Sequence, residues 1–276
     1  MHWDKDKLIP ILIEAGQLTL DYFKKTKNTL KKDGSIVTEA DIKVEAFLKE
    51  KLHSKDLFWL GEESSESIET DTFKKQIQGN GYIIDPIDGT MNYANGLEMW
   101  GISIGWIENG KYTEGAIYLP CLNEIYISDK GSVQLLTIQN FSIIDEIRLN
   151  PITKINIEDE FKIIAVTQTI VKKHTVQFSG CLQSISSAVF VLSKVLNGSY
   201  VGYIGQLKIW DIAGAIPMCK NLGIEVIDLD DVQIIDKVNI NLFNLEPTSQ
   251  KRFGLNNLLI FSAKGNIKKI KQDFLI

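Results

Sequence analysis

Four acidic clusters could do chemistry together: Asp41; Glu62 and Glu63; Asp85-Pro86-Ile87-Asp88-Gly89-Thr90; and Asp211 after Trp210. In the third, an apolar run delivers Asp85, Pro86 stiffens the exit, and Asp88 follows within a turn. The Ile87 carbonyl between them can also turn inward, so one short segment offers three hard oxygen ligands. Such a set, without histidine or thiolate, suits Mg²⁺ or Mn²⁺ rather than Zn²⁺. Gly89 permits close backbone approach, the amides of Gly89 and Thr90 could cup a phosphate oxygen, and the Thr90 hydroxyl could orient a water. Each piece also has a plainer use. Asp-Pro and Asp-Gly are turn chemistry, Thr38-x-x-Asp41 fits a helix capping box, Glu62 to Glu66 could be a solvated loop, and Asp211 could cap a helix.

The surrounding pattern favours joint use, because each cluster follows a candidate strand or opens a candidate helix. Residues 4–25 have helical apolar spacing, with Pro10 expected in the first turn or at a kink. A turn is expected over 31–35. A second helix opens at Thr38-Glu39-Ala40-Asp41, its apolar stripe formed by Val44, Phe47, Leu48 and Leu52. Short strands are expected at 58–60, ending at Gly61, and at 82–84, ending at Asp85-Pro86. From 101 to 131 the pattern turns β, with Asn109-Gly110 as a hairpin signal and strands at 115–119 and 124–128. No clear period runs through 132–160. Further strands are expected at 162–166, 200–204, 225–229 and 258–261. Helices are expected at 186–196, at 211–222 up to Gly223, and at 266–274. Mixed strands and helices without a strict βαβ rhythm favour layers.

Composition narrows the function. The chain has 276 residues, is 44% hydrophobic, and carries a net charge of −5, so it can bury a large core without staples. The acidic balance argues against a nucleic-acid or anionic-membrane partner. Only Arg148 and Arg252 are arginines, so a cluster of bidentate arginine forks is not available for phosphate. Cys121, Cys181 and Cys219 lack paired spacing and read as reduced thiols. Neither a signal peptide nor an apolar run long enough to span a membrane is expected, which points to the cytoplasm. His2, His53 and His174 lie outside the acidic motifs and read as surface or packing residues, which argues against a phosphohistidine route.

Gly61-Glu62-Glu63-Ser64, Asp85 to Tyr93, and Trp210-Asp211-Ile212-Ala213-Gly214-Ala215 resemble the three signature segments of the inositol monophosphatase family. Val37-Thr38-Glu39-Ala40-Asp41 resembles a fourth. The resemblance implies an α+β fold, a layered αβαβα sandwich of the inositol monophosphatase and fructose-1,6-bisphosphatase type. It would form one domain over 1–276, with two halves at roughly 1–145 and 146–276. The implied activity is hydrolysis of small phosphate monoesters such as inositol monophosphate, by direct attack of a metal-activated water. Carried onto this chain, Glu62, Asp85, the Ile87 carbonyl, Asp88 and Asp211 would be metal ligands, for roughly two to three Mg²⁺ ions or Mn²⁺ in their place. Glu63 would lie just outside them. Asp41 and Thr90 would orient and deprotonate the water, and Gly89 and Thr90 would cradle the phosphate, with Asp211 on the substrate side. A cytoplasmic homodimer is also implied.

Specificity matches less closely. Ile204 stands seven positions before Asp211, where family members that bind inositol carry an acidic sugar contact. Gln206 and Lys208 could replace it, and Lys208 could meet a second phosphate. Ser186 and Ser187 are candidate substrate-hydroxyl contacts, with an N-cap as the plainer alternative. The glycine-rich flap of the family is poorly matched over 132–139. Other substrates are therefore open, including a 3′(2′),5′-bisphosphate nucleotide or fructose 1,6-bisphosphate, as is a non-catalytic regulatory protein on the same fold.

Overall fold

The computed structural model describes residues 3–25, 28–30, 36–152, 162–173, 175–230, 232–234 and 236–274. The expected turn over 31–35, His2 and His174 lie outside the described residues.

In chain order the elements are α1 (Lys5–Tyr22), β1 (Asn28–Leu30), β2 (Ile36–Thr38), α2 (Glu39–Leu52), β3 (Phe58–Gly61), α3 (Thr70–Gln76), β4 (Gly81–Asp88), α4 (Thr90–Ala94), β5 (Gly101–Glu108), β6 (Lys111–Leu119), β7 (Glu124–Asp129), β8 (Ser132–Gln139) and β9 (Ser142–Arg148). They continue with β10 (Ile163–Val166), α5 (Gln168–Lys173), β11 (Cys181–Gln183), α6 (Ala188–Leu196), β12 (Gly202–Gly205), α7 (Ile209–Ala213), α8 (Ile216–Leu222), β13 (Ile224–Asp228), β14 (Leu259–Ala263) and α9 (Ile267–Asp273). Among the described residues, β3 to β9 form one sheet in chain order, and a second sheet runs β11-β10-β12-β14-β13.

The packing gives the layers. Leu8, Leu12, Val44 and Leu48 of α1 and α2 bury one face of the first sheet against Ile84, Ile104 and Tyr118. Its other face, with Ile83 and Ile117, packs on Val191, Ile212 and Met218 of α6, α7 and α8, which also cover Tyr203 and Phe261 of the second sheet. Ile170 of α5 and Ile267 and Ile270 of α9 then cover Ile164, Ile204 and Ile260 on the far side. The order is α, β, α, β, α, as the resemblance implies.

Several local expectations are corrected. β4 does not stop at Asp85-Pro86 but runs to Asp88. Its register against β5 shifts between Asp85 and Asp88, and Pro86, which has no N–H to give, falls inside that irregularity. The expected 211–222 helix is two helices, α7 and α8, broken at Gly214-Ala215, with Pro217 in the first turn of the second. The 186–196 helix begins at Ala188, with Ser187 as its cap. Pro10 lies in the second turn of α1, beyond the position where its missing N–H costs nothing. The stretch from 132 holds the β8–β9 hairpin, and no glycine-rich flap.

Candidate metal centre

The acidic clusters meet where β3 and β4 end and where α2, α4, α6 and α7 begin. Asp85 and Asp88 come from the end of β4, and Asp211 is the third residue of α7. One carboxylate oxygen from each lies within 4.8 Å of the others. Asp85 is 1% exposed and Asp88 7% exposed, while Asp211 is half-buried.

Three carboxylates this close repel, and the packing around them strips away water. Burial, then the charges of Glu62, Asp88 and Asp211, hold the Asp85 carboxyl well above the ordinary carboxylate range. Burial and the Asp88 charge do the same to Asp211. Asp88 is pushed up only to about 6, because the Ser187 hydroxyl and the amides of Val189 and Ala188 favour its anion. Glu62 is absent from the tight triad, yet its charge raises all three. Carboxyls that are costly to ionise without a cation, offering only hard oxygen donors, fit a bound Mg²⁺ or Mn²⁺.

Supporting contacts fix each group. Ser187 caps α6 by accepting from Phe190 N at 3.1 Å, and its hydroxyl donates to Asp88. The Val189 amide donates to the same carboxylate at 2.8 Å. Asp211 accepts from Lys208 N at 2.8 Å. Ser103 on β5 donates to the Trp210 carbonyl at 3.0 Å and accepts from Gly214 N at 3.3 Å, pinning α7 to the first sheet. Nothing in the sequence marks Ser103 except its place in an otherwise apolar strand.

Asp41, fully buried at the start of α2, accepts from Thr38 N at 2.8 Å and Thr38 Oγ1 at 2.6 Å. The capping box and the acidic motif are therefore the same residues. The Thr90 hydroxyl lies 3.0 Å from the Ile87 carbonyl and 3.3 Å from Asp41 Oδ1, so its single proton is shared between them. Gly89 has φ +89°, and a Cβ there would come within 2.8 Å of Ser187 Cβ. Only glycine fits that approach.

The specificity candidates separate. Ser186 is exposed, whereas Ser187 is buried and engaged by Asp88. Ile204 is fully buried among Val201, Ile260 and Ile270 on the outer face of the second sheet, away from the triad. The Gln206 amide donates to the Leu255 carbonyl at 3.0 Å. Lys208 Nζ lies 5.2 Å from the centre of the Trp210 ring. Arg252 donates to the carbonyls of Glu66 and Ile68, so this arginine ties loops together. His53 caps the end of α2 and packs edge-on to Trp59, in keeping with a packing role. A hollow of about 480 Å³ opens beside Glu62 and Lys208, walled by Trp210, Phe253, Thr248 and Gln250.

A sequence model of the inositol monophosphatase family matches residues 6–269. The chain belongs to the inositol monophosphatase family. Within it, the chain is 27% identical to the fructose-1,6-bisphosphatase/inositol-1-monophosphatase of Thermotoga maritima, over 81% of this chain and 84% of that protein. It is 36% identical to the histidinol-phosphatase of Chlorobaculum parvum, over 43% of this chain but only 45% of that protein. The extragenic suppressor protein suhB of Bartonella henselae shares the fold at a TM-score of 0.72 and 20% identity, covering 98% of this chain and 97% of that one. Proteins of differently named function are thus similar to this chain. Among the described residues, no helix is long and apolar enough to cross a membrane.

Proposed function

We propose that this protein is a Mg²⁺-dependent phosphomonoesterase acting on a small polyol or sugar monophosphate. The observation that carries the reading is the triad of Asp85, Asp88 and Asp211 within 4.8 Å, with the Thr90–Asp41 pair beside it. Glu62, Asp85, the Ile87 carbonyl, Asp88 and Asp211 would hold Mg²⁺, or Mn²⁺ in its place. A divalent ion there offsets phosphate charge, acidifies a water and stabilises the leaving alkoxide.

The chain's own residues supply the rest. Thr90 accepts a proton from the attacking water and passes its own to Asp41, as the water oxygen forms its bond to phosphorus and the ester P–O bond breaks. Asp41 is held for this by both donors of Thr38. The left-handed turn at Gly89 directs successive amides toward one phosphate oxygen. Ser186, which is exposed, is the serine that would meet substrate hydroxyls, and Ser187 serves Asp88 instead. Glu63 stands outside the ligands. Lys208 faces the substrate's anionic side. With Arg252 committed to loop carbonyls, a monophosphate suits the site better than a bisphosphate.

The test is phosphate release from inositol 1-phosphate, histidinol phosphate, fructose 1,6-bisphosphate and a 3′,5′-adenosine bisphosphate, with Mg²⁺ and with EDTA. Highest kcat/KM on a monophosphate, lost in EDTA, is expected. Preference for a bisphosphate overturns the substrate class, and no Mg²⁺-dependent release from any of them favours a regulatory protein. The same reading expects a cytoplasmic homodimer, which light scattering on the purified protein checks.

A further inference from the structure

Glu45 lies on α2 one turn beyond Asp41, in line with the apolar stripe, and is 4% exposed. Its carboxylate accepts from Glu63 N at 2.7 Å and from Ser64 N at 3.1 Å. It also lies flat against Gly61, where a Cβ would come within 2.2 Å of the Glu45 carboxyl carbon. Glu62 sits between these contacts. Its own amide donates to the Ile84 carbonyl at 3.1 Å, and its carbonyl accepts from Ser65 Oγ at 2.7 Å. The backbone is therefore tied on both sides of Glu62, and two of the ties end on one buried carboxylate.

A carboxylate is a costly group to bury only for loop anchoring, since an amide or hydroxyl could accept the same N–H groups with less desolvation. What an anion adds is two acceptor oxygens that can both take charge-assisted bonds from adjacent amides. That fixes two successive peptide planes, and with them the direction in which the preceding side chain leaves the chain. We propose that Glu45 is a positioning residue for the metal centre: it aims Glu62 at the Asp85–Asp88–Asp211 triad. Gly61 is the space that lets it do so. α2 then steadies both sides of the site, with Asp41 toward Thr90 and Glu45 toward Glu62.

This inference rests on the reading of Glu62 as a ligand, and the experiment separates the two. Mn²⁺ is titrated into metal-stripped full-length protein, with free Mn²⁺ read by electron paramagnetic resonance. Glu45→Gln keeps the volume but replaces one acceptor with a donor, and it is expected to weaken Mn²⁺ binding about 10- to 100-fold. At saturating metal its phosphatase activity should recover, with KM near the wild-type value, an outcome that general unfolding does not produce. Gly61→Ala pushes on the same contact while leaving the Glu45 charge in place, and should weaken binding similarly. Unchanged Mn²⁺ affinity in either folded variant overturns the proposal. If wild-type protein binds no Mn²⁺, or Glu62→Gln binds it as well as wild type does, the ligand reading itself fails. In wild-type protein the amides of Glu63 and Ser64 should resist hydrogen exchange, and exchange at open-loop rates overturns the proposal even if neither variant folds.

Discussion

The Ser187 hydroxyl donates to the Asp88 carboxylate across 99 positions of sequence, joining the cap of a middle-layer helix to the end of a strand. One serine thus starts α6 and favours the Asp88 anion. Ser187→Ala should lose about 1 kcal/mol through the cap, raise the Asp88 carboxyl above its value of about 6, and weaken Mg²⁺ binding. Calorimetric titration of Mg²⁺ at pH 7 and pH 8 checks this. A loss of affinity that shrinks at the higher pH is expected, and wild-type affinity at both would separate the cap from the centre.

The acidic triad fixes a pH dependence. In the folded protein Asp88 holds its proton up to about 6, against 3.8 for an ordinary aspartate, a difference of roughly 3 kcal/mol. A raised carboxyl is ionised at the expense of the fold, so its stabilising contribution is present below about pH 4 and lost as pH rises through about 6. Asp85 and Asp211 are displaced in the same direction. Metal-free protein should therefore lose stability as pH rises from about 4 to 7, and Mg²⁺ should restore it at pH 7. Asp88→Asn should flatten this slope and abolish Mg²⁺-dependent hydrolysis. Urea midpoints in EDTA read the slope; equal slopes, or near-normal activity in the variant, would count against the assignment.

Two glycines make a controlled comparison. Gly89 and Gly131 both have φ near +80 to +90°, but a Cβ at Gly131 meets nothing within 4 Å, whereas at Gly89 it meets Ser187. Gly131→Ala should cost about 1 kcal/mol from the backbone alone. Gly89→Ala should cost more and also lose activity, as read by thermal unfolding and phosphate release. Equal losses would show that the approach of Ser187 is not tight.

Thr90→Ala removes the hydroxyl shared by Asp41 and the Ile87 carbonyl. It should lower kcat by about 100-fold or more while Mn²⁺ affinity changes little. In a single turnover of wild-type protein with ³²P-labelled substrate, label should pass to free phosphate without appearing on the protein. Trapped ³²P-labelled protein would sink direct attack by water.

The acidic motifs stood out because each follows a candidate strand or opens a candidate helix, and the αβαβα order was legible through the family resemblance those motifs carry. The β8–β9 hairpin was not. Its turn places Asn140 and Phe141 at positive φ, the second a residue type that gives no turn signal, and every residue of β9 is exposed, so no alternation marks it. The α7–α8 break was marked only by Gly214, which a helix interior tolerates at some cost, and Pro217, which a first turn tolerates. Glu45 was hidden by its neighbours: among Val44, Phe47 and Leu48 a lone acid reads as the edge of a solvated face. Ile204 was read as a position that cannot accept a hydrogen bond, but counting back from Asp211 says nothing about which face of β12 it occupies.

Asp85 and Asp88 belong to the first sheet, and Asp211 to the helical layer between the sheets. No fragment that lacks either layer contains the triad, and a chain in which α7 has not yet docked holds only two of its acids. On the proposed reading, binding of a divalent ion would report on the docking of α7 against the first sheet. An ion that binds only the docked arrangement would stabilise it. Purified protein would then unfold less readily with the ion than without it.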